Sequence, residues 1–312
     1  MLIKQAIEVF DLLDSADASG ESVMAYMKSK GAENVYVHRM EQNGHGTDFV
    51  RIMIPGKNGK SNGGSAPTMG IIGRLGGIGA RPERIGYVSD GEGALSALVV
   101  AAKLLDMQKA GDVLEGDVYV TTHVCPNAPT MPHKPVPFMG NPVDMAMMNA
   151  MEVMEEMDAI ISIDTTRGNR IINHSGIAIS PTVKEGYILR VSEDLLTIME
   201  QTTGHHPYTF PVTTQDITPY GNGLYHVNSI MQPCTSTVAP VVGVAITAES
   251  MVPGCATGAG HYSDIELAAG FAIEVAKAFV SGSCRFYDEE EFKRIEERYG
   301  SMKHILGFGK EA

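Results

Sequence analysis

The sequence predicts an α/β fold, a β-sheet covered by helices on both faces. Apolar runs of strand length alternate with segments of helical periodicity along the chain. One helical segment, 94–109, is apolar nearly all round, a pattern that requires burial. There is no internal repeat and no linker longer than the loop at 55–67, so residues 1–312 are expected to form one domain.

Residues 1–30 carry helical apolar spacing at Ile3, Ile7, Phe10 and Leu13, then at Val23, Tyr26 and Met27. Ser19-Gly20-Glu21 divides them into two helices. Strands are predicted at 35–37 and 49–54. The second leads into a Gly/Ser-rich loop, PGKNGKSNGGSAP, expected to be a mobile surface hairpin. Residues 68–72 form a short apolar strand, followed by a Gly-rich segment at 73–79. After helix 94–109 come a strand at 117–125, a Pro-rich loop at 126–142 and a Met-rich helix at 145–157. A strand at 159–163, a helix at 187–203, and strands at 209–214 and 240–246 follow. Helices at 265–280 and at about 288–304 end the chain.

With 312 residues, 44% hydrophobic and 20% charged, the chain can bury a full core. Its net charge of −13 repels duplex nucleic acid and anionic membranes, so neither is an expected partner. Cys125, Cys234, Cys255 and Cys284 are far apart and form no CxxC pair, which argues against a zinc ribbon and a disulfide framework. The N-terminus reads as an amphipathic helix rather than a signal peptide, and no apolar run reaches membrane-spanning length. A cytoplasmic protein is expected. Nineteen Met and no Trp make an adaptable core, so the Met-rich stretch at 145–157 is read as packing rather than a metal-binding box.

Candidate site residues stand where strands end and helices begin. Asp90, in Ser89-Asp90-Gly91-Glu92-Gly93, lies between an irregular Gly-rich segment and the apolar helix, a junction suited to chemistry rather than packing. Asp164 ends an apolar strand and is either a site acid or a turn former. His123 and Cys125 share one face of their strand and are either soft-metal ligands or buried, backbone-bonded groups. His261, in a Gly-flanked loop before a helix, is accessible and read as functional. His133 lies in a Pro-rich loop that could fold over the site. The Gly-rich run at 73–79 lacks dinucleotide-binding spacing, and neither Gly-x-Ser-x-Gly nor the Walker A spacing occurs.

In this order the features resemble the zinc-dependent exopeptidases, aminopeptidase and aminoacylase-like hydrolases with a phosphorylase/hydrolase-type fold. Ala18-Ser19-Gly20-Glu21 resembles their early Ser-Gly-x-Glu turn, and Asp90-Gly91-Glu92-Gly93 the region whose Asp bridges two metals. Asp164 resembles the strand-terminal Asp ligand and His261 the late His ligand. Gly176-Ile177-Ala178-Ile179 and Gln215 resemble later stretches. In length and composition the chain also resembles the uncharacterised family, domain of unknown function 1177.

The resemblance implies a mixed, mostly parallel sheet with no inserted lid domain. It also implies zinc or another divalent metal on Asp90, His123, Asp164 and His261, at one site rather than two. The chain departs from the pattern at two places. Arg74-Leu75-Gly76 replaces the expected His-x-Asp, and Thr122-His123-Val124-Cys125-Pro126 replaces the paired Glu residues, one of which is the general base. Arg74 is then expected to neutralise Asp90 or to grip a substrate carboxylate. His123 is expected to bind metal or to act for the missing Glu. The implied activity is hydrolysis of an amide or peptide-like bond in a small-molecule substrate. The alternative is a non-catalytic, ligand-binding protein on the same fold. A homo-oligomer is expected in either case.

Overall fold

The computed structural model describes residues 2–42, 44–74, 78, 80–81, 86–132, 138–166, 168–213, 225–250 and 260–307. The chain begins α1 (Ile3–Leu13), α2 (Gly20–Ser29), β1 (Asn34–Gln42), β2 (His45–Ile54), β3 (Met69–Gly73) and β4 (Ala80–Arg81). It continues α3 (Glu92–Lys109), β5 (Val118–Val124), β6 (Ala128–Met131), β7 (Phe138–Met139), α4 (Met145–Glu152) and β8 (Ala159–Thr165). Then come β9 (Gly176–Ile179), β10 (Val183–Lys184), β11 (Tyr187–Ile188), α5 (Glu193–Thr203), β12 (Val241–Thr247), α6 (Tyr262–Val280) and α7 (Glu289–Tyr299). No helix among the described residues is long and apolar enough to cross a membrane.

The main sheet runs β1-β2-β5-β3-β8-β12-β10-β11, with β9 also paired to β12. Parallel pairing is confined to the four central strands, β5-β3-β8-β12, and every other pair is antiparallel. The sheet is therefore mixed, with a parallel centre rather than a mostly parallel whole. The central strands are apolar without alternation because both of their faces are covered.

One face, carrying Ile71, Val120, Ile161 and Val244, packs into the core that α1, α2, α3, α5 and α6 close. On the other face Ile72 and Ile160 meet Met154, Met157 and Met231. There α4 and a 3-10 helix, Ser229–Thr235, form a thinner cover. The Met-rich helix is packing, as expected: Met148 is buried against Phe49 and Val143, with Met145, Met147 and Met151 around them.

Helix α3 lies between the sheet and helices α1 and α6, which explains its apolar circumference. It follows β3 and leads to β5, whereas the chain from β8 leads to β12 on the other side. The line between β3 and β8 is thus a topological switch point, where open α/β sheets place ligands beyond the strand carboxyl ends.

Several expected elements differ. The loop at 55–67 does not close a hairpin, because β5 separates β2 from β3. It is anchored: the buried Asp117 carboxylate accepts from Gly56 N–H at 2.9 Å, Ser61 N–H at 2.7 Å and Ser61 Oγ at 2.8 Å. Helix α4 stops at Glu152. The predicted helix at 187–203 begins as β11, after a tight turn through Glu185 and Gly186, both at positive φ. Residues 209–213 form no strand, although Thr209 makes an isolated bridge to Ile179. The Pro-rich loop holds β6 and β7, which join β4 in a second small sheet.

Asp117→Ala removes an ionised acceptor from three donors. It is expected to lower stability by about 3 kcal/mol, measured by urea unfolding, and to speed amide exchange across 55–67. Unchanged exchange there would mean that the loop is held by its other contacts.

Candidate functional site at the strand carboxyl ends

Sheet register aligns three of the expected site residues. Ile72 stands opposite Thr121 on one side and Ser162 on the other. Two residues further along each strand, on the same face, come Arg74, His123 and Asp164. The Arg74 N–H donates to Ile163 O at 2.8 Å, which carries the ladder one step past β3. At ordinary strand spacing the His123 and Asp164 backbones are about 10 Å apart with Arg74 between them. The row faces α4 and the 3-10 helix.

Arg74 and His123 share a partner that the sequence reading did not single out. Arg74 Nη1 donates to Glu152 Oε2 at 2.6 Å, and His123 Nδ1 lies 2.6 Å from Glu152 Oε1. All three side chains are wholly shielded from solvent. Glu152 is the last residue of α4, and Thr121 Oγ1 fixes that end by donating to the Glu152 carbonyl at 2.8 Å. Asn149, one turn earlier, ties α4 to the 3-10 helix through Gln232 O and Ser236 Oγ. Arg74 Nη2 sits 2.6 Å from Met145 Sδ. Glu152 thus stands before Arg74 Nη1, where the sequence led to an expectation of Asp90 or a substrate carboxylate.

Burial alone would raise the Glu152 carboxyl. The Arg74 guanidinium and the His123 ring outweigh that and hold it below its ordinary range, so Glu152 is an anion at neutral pH. An anionic carboxylate on Nδ1 sets the tautomer and orientation of the His123 ring. The one sequence signal for Glu152 was its place as the first acid within the Met-rich stretch 145–157.

Asp164 is buried at the end of β8. Its Oδ1 accepts from the Thr165 N–H at 2.7 Å, and its Oδ2 lies 3.5 Å from Ser229 Oγ of the 3-10 helix. Thr165 points to the opposite face, where its Oγ1 donates to Glu92 Oε2 at 2.9 Å. Glu92 opens α3. Asp90 is buried in the 3-10 turn Ser89–Gly91, which packs on β8. His261 is exposed at the N-cap of α6 and lines, with Glu92, a cavity on the helical face.

The expected metal ligands are therefore divided. His123 and Asp164 face α4, Asp90 lies beside β8, and His261 opens on the other side of the sheet edge. Among the described residues no three His, Cys, Asp or Glu are gathered as a metal-holding group. Cys125 is a packing residue: its Sγ donates to Gly46 O, and burial pushes its thiol up to about 11, far from the thiolate a metal needs. His133, Gln215, Cys255 and the segment 75–77 lie outside the described residues.

Glu152→Ala leaves Arg74 buried without its counter-ion and is expected to cost about 3–5 kcal/mol in chemical unfolding. Because the folded carboxyl titrates below its ordinary value of 4.5, it stabilises the fold above that pH and loses this contribution as pH falls through the lower folded value. Wild-type stability should accordingly fall more steeply with acid than that of Glu152→Gln. Parallel acid limbs would show that the carboxylate is not held ionised.

No curated protein matches the chain. Residues 38–309 match the family described as protein of unknown function DUF1177, and the chain belongs to that family.

Proposed function

We propose that this chain is a hydrolase of an amide or peptide-like bond in a small substrate, with His123 as its general base. The observation that carries this reading is the 2.6 Å contact between His123 Nδ1 and a Glu152 carboxylate that Arg74 anchors from the other side. A carboxylate behind a histidine fixes its tautomer and orientation and stabilises the imidazolium that forms when water gives up its proton. Arg74 fixes the carboxylate, so the imidazole has one orientation. The row stands at the switch point, beyond which a substrate would lie. His123 thereby takes the role of the Glu that the resemblance would require and the sequence lacks.

A metal-assisted form of the same reaction is favoured by one observation. Histidines that bind metal also lean on a carboxylate through their other nitrogen. The four expected ligands do not fit one ion in this arrangement: Arg74 stands between His123 and Asp164, and Asp90 and His261 lie off that face. A pair of ions fits no better, because the Arg74 cation stands in the row between His123 and Asp164.

A screen of N-acyl amino acids and aminoacyl anilides tests the proposal, run with and without chelator. His123→Asn is expected to lose roughly 10²–10⁴-fold of any activity found, and Glu152→Gln to lose activity with a shifted pH profile. Hydrolysis that survives in His123→Asn would sink the assignment. A well-folded protein that turns over none of these substrates would favour the non-catalytic, ligand-binding alternative.

A further inference from the structure

The two edges of the main sheet differ. One is β11, a strand of only two residues. The other is β1, nine residues that pair one-to-one with β2 and contain no bulge. Among the described residues β1 pairs with no other strand, and its backbone makes no hydrogen bond outside that ladder. Alternate N–H and C=O groups therefore point outward along its length. Folded proteins blunt such edges with short strands, prolines, lysines or bulges, because an open ladder templates a further strand. β1 has neither proline nor lysine. Its charged residues, Arg39 and Glu41, are opposite in sign and do not guard it against a second copy of itself.

We propose that β1 pairs antiparallel with β1 of a second copy of this chain, across a two-fold axis at Met40, so that one sheet runs through a dimer. The side chains select both the occupant and the register. Val35, Val37, Arg39 and Glu41 share the face on which α2 lies, and Val35 is buried there. The Arg39 and Glu41 side chains are exposed, at 59% and 65%. Opposite charges two residues apart are self-complementary in an antiparallel pair. With Met40 on the axis, Arg39 of each copy stands opposite Glu41 of the other. Within the chain Arg39 Nε donates to Glu41 Oε1 at 2.9 Å and Nη1 to Asp48 Oδ1 at 3.0 Å, which leaves Nη2 for the second carboxylate.

On the opposite face the two Met40 side chains meet at the axis, and His38 stands opposite Gln42. Neighbouring registers fit less well. An axis at Arg39 sets two guanidinium groups against each other, and like charges directly opposite are unfavourable. An axis at His38 sets both charges against valines. The net charge of −13 repels a second copy at long range, so association requires local pairs of opposite sign. The ladder spans residues 38–42, and interfaces this small are weak and reversible.

Sedimentation velocity of the full chain at low salt, at concentrations up to roughly 0.2 mM, tests the assignment. A reversible monomer–dimer equilibrium is expected. Arg39→Glu sets only acids around the axis and Glu41→Arg only arginines, and each is expected to weaken self-association roughly tenfold or more. Mixing the two variants restores both pairs of opposite charge, so heterodimers of near wild-type affinity are expected. A wild type that stays monomeric, variants that self-associate as wild type does, or a mixture of folded variants that forms no heterodimer would each overturn the proposal. If circular dichroism shows that Arg39→Glu does not fold, undiminished self-association of Glu41→Arg would overturn it instead. None of these outcomes bears on His123, whose role is read from hydrolysis alone.

Discussion

The close seating of α3 against β3 and β8 is the constraint on which the rest of this architecture depends. Gly93 in the first turn of the helix approaches the backbone of both Arg74 and Ile163, and a Cβ there would overlap the Arg74 and Ile163 carbonyl oxygens. Gly73 meets the Gly93 carbonyl from the strand side, so two glycines allow one contact. The helix can then begin directly at the switch point. Its preceding turn brings Asp90 against β8, and its first residue brings Glu92 to Thr165. A bulkier residue at either glycine would push the helix away and separate the acids from the strand ends they meet. Gly73 and Gly93 are therefore explained by close approach and need no nucleotide to account for them.

Strand alternation then sorts the polar groups into two sets. Asp164 and Thr165 are neighbours in sequence and point to opposite faces. Asp164 joins the row with Arg74 and His123 under α4, while Thr165 serves Glu92 under the helical layer. The two polar sets lie on opposite faces of the sheet and are joined by the single peptide unit between Asp164 and Thr165.

Much of the fold was legible because burial and sequence pattern agreed. The continuous apolar runs ending at Ile72 and Asp164, and the all-round apolar helix before Lys109, allow few other structures. The errors arose where tertiary contacts override pattern. The Met-rich stretch reads as helix to 157, but Thr121 takes the Glu152 carbonyl and the chain turns extended at Val153. The turn at Glu185-Gly186 carries no Asn-Gly or Asp-Gly signal, yet Glu185 adopts a φ of 50° where Lys184 and Lys303 pair with its carboxylate. Within the site, Arg74, His123 and Asp164 were legible as unusual residues at strand ends, and their common row followed once the register was known. Glu152 was not, because its meaning comes from partners 78 and 29 residues away in sequence.

The buried chain Arg74–Glu152–His123 is not what stability alone would select. Replacing a buried ionic group by well-packed apolar side chains is often neutral or stabilising, because the desolvation of the charges is then avoided. The surroundings would accommodate such a replacement easily. Met145 and Met148 belong to an adaptable Met-rich layer, and Phe49 lies with its ring centroid 5.4 Å from that of His123. The chain instead spends three ionisable residues in one solvent-free place, at the strand ends and next to the switch point. What that arrangement supplies, and an apolar core cannot, is an imidazole of fixed tautomer backed by a carboxylate that stays ionised. Proton transfer or ligand binding can use such an arrangement, and that is why the row, more than any single residue in it, marks the candidate site.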